Sequence, residues 1–144
     1  MLTYIRESAA LEMLVAAGKA VFVHIVIAGG DALAETMDGF FQIASRLPPG
    51  VQAVVWLIEL HGKVERNGVE FEELAVYKDV EDRISGIIRL PAPTSDMFAK
   101  DFQDLRKKRV SFQEAIDGKD FNVMERQRIA MIKRDLFDRV AAVL

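Results

Sequence analysis

Ala20-Val-Phe-Val-His-Ile-Val-Ile-Ala28 runs directly into Gly29-Gly30-Asp31 and then into a helical pattern. Bulky aliphatics on both parities of this run are what a parallel strand between helix layers requires. The abrupt glycine turn is how such a strand hands its chain to the carboxyl edge of an α/β sheet, where ligands usually bind. Yet the 144 residues contain no G-x-x-x-x-G-K-S/T phosphate loop. The architecture is therefore legible ahead of the activity.

Upstream of this strand, residues 3–18 carry Ile5, Ala9, Leu11 or Glu12, Val15 and Ala16 near helical spacing, and Gly18 is placed to end that helix with a positive φ. Downstream, Asp31 is positioned to cap a helix whose stripe is Leu33, Met37, Phe40 or Phe41, and Ala44, stopped by Leu47-Pro-Pro-Gly50. A second buried strand is expected at 51–60 and a third at 85–90, ended by Pro91-Ala-Pro93. Between them, Asn67-Gly68 predicts a two-residue hairpin, and 70–84 has helical spacing. Thr94 or Ser95 can cap a helix over 96–108, and Ser111-Phe-Gln-Glu114 fits a capping box. A last helix starts near Phe121 or Asn122 and lines up Ile129, Ile132, Leu136, Val140 and Val143. The alternation reads as an α/β fold, three-layer, with a mainly parallel sheet and helices on both faces. Three strands make a thin sheet with two open edges.

Composition narrows the chemistry. At 51% hydrophobic and 28% charged residues, a chain of this length supports one domain, 1–144, with a sizeable core. It has no cysteine and two histidines, which removes disulfides and thiolate sites and argues against zinc. A net charge of −3 gives no overall affinity for polyanions. The longest uncharged run is too short to span a bilayer and the N-terminus lacks a signal-peptide pattern, so the expectation is a cytoplasmic protein without a membrane partner.

Several segments are carried in order along nearly the whole chain: Val23-His24-Ile25-Val26-Ile27-Ala28-Gly29-Gly30, Val54-Val55-Trp56-Leu57, Gly68-Val-Glu-Phe71-Glu72, Val76-Tyr77, Asp82-Arg83-Ile84, Ile88-Arg89-Leu90-Pro91-Ala92, Arg109-Val-Ser-Phe112-Gln-Glu114-Ala115-Ile116 and Arg126-Gln127-Arg128. As a set they resemble the C-terminal half of plasmid conjugal-transfer P-loop proteins of the TraL/StbB type, relatives of the ParA/MinD partition ATPases. The resemblance implies an ATP-driven switch that dimerises around nucleotide and acts in plasmid transfer or stable inheritance. It also implies that the phosphate loop and the carboxylates serving magnesium and water lie in an N-terminal half, so that 1–144 is an incomplete P-loop NTPase-like domain. On this reading the chain alone is not catalytic and holds no cofactor, whereas an intact member uses ATP and Mg. Expected partners are a second copy of the chain, plasmid-transfer or partition proteins, and nonspecific DNA.

The same resemblance places the nucleotide base near Ile58 and Glu59 at one strand end and Pro91, Ala92 and Pro93 at another. Ile58 stands where partition ATPases usually carry an asparagine, and isoleucine cannot hydrogen-bond a base. Arg106, Lys107, Lys108 and Arg109 form a basic run suited to DNA phosphates, with Lys133 and Arg134 as an extension. The nearby Asp101, Asp104 and Glu114 favour a solvated helix face instead. His24 reads as a neutral core histidine, and His61 as a surface histidine close enough to a strand end to meet a ligand. Gly29-Gly30 lets backbone approach either a ligand or another loop. No carboxylate pair, metal spacing or nucleophile elbow stands behind catalysis. The alternative function is a nucleotide-independent α/β interaction module.

Overall fold

The computed structural model describes residues 9–92 and 96–144. They divide into two compact units, one ending at Ala92 and also taking in Val143, the other made of the remaining described residues from Asp96 onward. The first holds the sheet, and each unit has its own core.

In the first unit, α1 (Ala10–Ala16) ends in paired backbone bonds: Gly18, at φ 73°, donates to the Val15 carbonyl, and Lys19 donates to that of Leu14. This is the glycine stop expected from the sequence. The part of the expected 3–18 helix that precedes residue 9 lies outside the described residues. β1 (Val21–Ala28), β2 (Val51–Ile58) and β5 (Ile84–Leu90) then form one parallel sheet in the order β1-β2-β5. The fold is α/β, a parallel sheet flanked by helices, as the alternating pattern implied.

α2 (Leu33–Ala44) buries Met37, Phe40 and Ala44, which resolves the Phe40/Phe41 ambiguity, since Phe41 is exposed. Asp31 does not cap it. Gly30–Ala32 forms a single 3-10 turn ahead of the helix, and no side chain caps either element. Thr36 takes over the strand-to-helix junction: its hydroxyl donates to the Ala32 carbonyl at 2.7 Å and accepts from the Ala28 N–H at 3.1 Å. At the other end of α2, the Arg83 guanidinium donates to the carbonyls of Ala44, Ser45 and Leu47, satisfying groups that a helix C-terminus leaves open.

Residues 70–84 depart from the expected helix. The chain forms the hairpin strands β3 (Glu65–Arg66) and β4 (Val69–Glu70), a 3-10 turn at Phe71–Glu73, one turn of helix α3 (Ala75–Lys78), and another 3-10 turn at Glu81–Arg83. Asn67 and Gly68 both take positive φ, 54° and 76°, as the two-residue turn demands. Burial of Phe71 explains the break: its ring packs edge-on against Phe40 and Tyr77, each at 5.3 Å, and Leu74 is extended between the turns. A continuous helix would give up that plug for local hydrogen bonds. Val64, Phe71 and Val80 thus join Ile25, Ile27, Val55 and Leu57 in one core, against which Leu11 and Val15 of α1 pack.

His24 is exposed, contrary to the expectation of a core histidine. Among the described residues β1 is an edge strand, and the side chains opposite its core face include Val26, 52% exposed. His24 Nδ1 accepts a hydrogen bond from Trp56 Nε1 at 2.9 Å on this face.

The second unit contains α4 (Asp96–Lys108), α5 (Phe112–Asp117) and α6 (Val123–Val143) as far as Ala142. Ser111 and Glu114 form the expected capping box, and Asn122 with Glu125 forms a second. The Ser111 N–H and hydroxyl both donate to Glu114, holding its carboxyl below the usual range. Thr94 and Ser95, the candidate caps of α4, lie outside the described residues. Leu105, Ala115, Phe121 and Ile129 make the core. Beside it, buried Asp101 takes a bidentate pair from Arg128, 2.6 Å to Nε and 3.0 Å to Nη2. A fork of this kind is among the stronger ways to satisfy a carboxylate out of water.

Candidate functional site

The carboxyl edge of the sheet gathers three strand ends. Gly29 donates its N–H to the Ile58 carbonyl, and Glu59 donates to that of Leu90, each at 2.9 Å. Ile58, Glu59, Pro91 and Ala92 are therefore neighbours, while Pro93 lies outside the described residues. Pro91 and Ala92 are exposed, Ile58 is half-buried, and Glu59 is buried.

Glu59 is held from two sides. Its Oε1 accepts from the Val64 N–H at 3.0 Å and from Arg89 Nη1 at 2.6 Å. The same guanidinium reaches Glu72 at 2.7 Å and lies 3.6 Å from Glu70. Burial works against the Arg89 cation, but the Glu72 hydrogen bond and the charges of Glu72, Glu59 and Glu70 outweigh it and raise its pKa further. Tyr77 is also shifted upward, first by burial and then by Glu81 and Glu72. Three carboxylates around one arginine make this edge electronegative, which disfavours a phosphate approaching Arg89 without displacement of an acid.

Sequence reasoning singled out Glu59 but gave Arg89 no role of its own and did not pair the two. The signal was available: an arginine inside an otherwise apolar strand, Ile87-Ile88-Arg89-Leu90, must find acid partners if it is to be covered.

Gly29 and Gly30 face another loop. A Cβ on Gly29 would stand 1.8 Å from the Gly62 carbonyl oxygen, and one on Gly30 would stand 2.8 Å from that of His61. The glycines let the end of β1 pack on the backbone after β2, and His61, though exposed, contributes its main chain to that contact. A cavity of about 520 Å³ opens at the opposite, amino edge, lined by residues including Phe22, Pro48, Gln52 and Arg83. Among the described residues no group of histidine, aspartate and glutamate is arranged to hold a metal ion, and no helix is long and apolar enough to cross a membrane.

The basic run closes α4. Lys108 donates to the Asp120 carbonyl at 3.0 Å and lies 4.8 Å from the centre of the Phe121 ring, so it is engaged within its own unit. Arg106, Lys107 and Arg109 are exposed, and Arg109 turns the chain at φ 53°. Two of the acids expected to offset them are committed elsewhere: Asp101 to Arg128 and Glu114 to its cap. Lys133 donates to the Gln113 side chain at 2.5 Å, and Arg134 is exposed.

No family model matches the chain, and no solved structure matches it. Two curated proteins from Escherichia coli do, each called Protein TraL. They are 36% and 38% identical over 129 residues, which is 88% of this chain and 54% of each relative. The chain thus spans about half the length of the curated relatives it matches. The resemblance to TraL-type proteins carried by the strand and loop motifs is matched by measured similarity to Protein TraL along most of the chain.

Proposed function

We propose that this chain acts in plasmid conjugal transfer or stable inheritance as the C-terminal portion of a ParA/MinD-like ATPase, and is not catalytic alone. Similarity to Protein TraL along 88% of the chain carries the reading. The parallel sheet whose strand ends converge at Ile58, Glu59, Pro91 and Ala92 supports a nucleotide-type fold. Deleting the gene from its plasmid and scoring transfer between cells tests the role: transfer frequency should fall and be restored by the gene in trans. Unchanged transfer and unchanged plasmid retention would reject it.

ATP and Mg are the cofactors proposed for the whole protein. The isolated chain, having no phosphate-loop lysine, should show no magnesium-dependent ATP site tighter than about 10 μM, or about −7 kcal/mol, by calorimetry. A tighter site would overturn the assignment of phosphate binding to another segment. The outer edge of β1, unpaired among the described residues and with Val26 exposed beside it, is the proposed contact for a second copy of the chain.

A nucleotide-independent interaction module is the second reading. It draws support from the strand-end glycines, which are filled by a neighbouring loop, and from Glu59, which is already bonded to Val64 and Arg89. Transfer that survives loss of the phosphate-loop lysine in the whole protein would select it.

Nonspecific DNA is proposed as a ligand of Arg106, Lys107, Lys108 and Arg109. Neutralising either Arg106 or Lys107 should weaken binding to all sequences alike and lower the salt slope by about one per lost phosphate contact. Lys108→Ala should lose less, because that ammonium is held by Asp120. Gel shifts across a salt series measure both, and unaltered binding would leave the run as a solvated face.

A further inference from the structure

We propose that the groove between α5 and α6 seats an acidic amphipathic helix from a partner protein. The groove, about 530 Å³, is lined by Ile116, Val123, Gln127, Ala130 and Met131 and flanked by Arg126 and Arg134. Its apolar wall is open to solvent: Val123 is 61% and Met131 57% exposed. Exposed apolar side chains gathered around one concave site mark an interaction more often than scattered ones do.

Three features select the occupant. The lining residues from Val123 to Arg134 span about 16 Å at the helical rise, or about three turns, which suits a helix presenting anchors at i, i+4 and i+7. Two arginines and no carboxylate line the groove. Arg126 donates one weak bond, 3.4 Å, to the Gly118 carbonyl, and neither arginine forms an ion pair among the described residues. Acidic residues flanking the anchors would therefore gain partners, while basic ones would be repelled. Nucleic acid fits less well, because an aliphatic floor offers nothing to a phosphate backbone. The inference rests on the groove alone and stands or falls apart from the nucleotide reading.

The test uses the whole chain and a fluorescein-labelled helical peptide of about 16 residues with leucine anchors and glutamate flanks. Its controls are a lysine-flanked version and a glutamate-rich peptide without leucines. Fluorescence anisotropy should show micromolar binding of the first, with both controls at least about tenfold weaker. Met131→Gln and Arg134→Glu should each weaken it about tenfold while leaving the circular dichroism and melting of the chain unchanged, since both side chains are exposed. Equal binding of the acidic and basic peptides, parent-like binding by both variants, or no binding at 1 mM would overturn the proposal. So would a dimer, seen by sedimentation, that Met131→Gln abolishes, which would assign the groove to a second copy. Displacement of the peptide by an oligonucleotide would assign it to nucleic acid.

Discussion

Gly29→Ala should destabilise the first unit by about 3 kcal/mol or more, seen as a lower urea midpoint with little change in slope. The reason is space, since Gly29 has an ordinary extended backbone, φ −72° and ψ 171°, that any residue can adopt. The added methyl would stand 1.8 Å from the Gly62 oxygen and 2.6 Å from the Gly62 carbonyl carbon, both main-chain atoms with no rotamer to yield. Relief requires either the end of β1 or the loop after β2 to move, and the Gly29 N–H bond to the Ile58 carbonyl resists that shift. Gly39→Ala is the matched control. Gly39 lies inside α2 with nothing within 4 Å of the added methyl, so alanine there should stabilise by about 0.5–1 kcal/mol through helix propensity. Equal effects at the two positions would mean that the two loops are not packed as described.

Phe71→Ala should cost about 3–5 kcal/mol, the range for emptying a fully buried aromatic site. Its ring is completely covered and joins the crossover between β2 and β5 to α2 through Phe40 and to α3 through Tyr77. The site cannot collapse easily, because Phe40 and Tyr77 on either side of the ring are held in α2 and α3 and the turns around it are fixed by their own backbone bonds. Part of the loss should therefore appear at the carboxyl edge, where Glu70 and Glu72 flank Phe71 in sequence and engage Arg89. Phe41→Ala, at an exposed site on α2, should stay within about 0.5 kcal/mol by the same denaturation measurement. A Phe71→Ala protein as stable as the parent would remove the plug from the account of this core.

Where local physics decides conformation, residues could be read without neighbours. Gly18 ended α1, Asn67-Gly68 made its turn, and Ser111 with Glu114 and Asn122 with Glu125 capped their helices, because each device closes within four residues. The three strands were legible for a related reason: parallel strands covered on a face must carry long aliphatic runs, and these stand out from charged helices. Ile58, Glu59, Pro91 and Ala92 were picked out by the family resemblance rather than by local pattern, and parallel strands bring their carboxyl ends to one edge.

Tertiary structure decided what depended on distant partners. Helical spacing over 70–84 yielded to Phe71, whose burial against Phe40 outweighed continuous helical hydrogen bonding. The apolar run around His24 looked buried on both sides, but an edge strand leaves part of its surface open, and strand order is absent from a one-dimensional pattern. Gly29 and Gly30 were ambiguous between a ligand and a loop until the backbone of His61 and Gly62 was found filling the space. The acids near α4 could be counted in the sequence but not assigned: Asp101 belongs to Arg128, 27 residues away, and Glu114 to its own helix cap. The sequence by itself determined the strands, the Asn67-Gly68 turn and the cap at Ser111, because their energies are local. Only the tertiary structure decided which charges pair, which glycines are filled and which apolar faces stay open, because those outcomes depend on what the fold brings within a few ångströms.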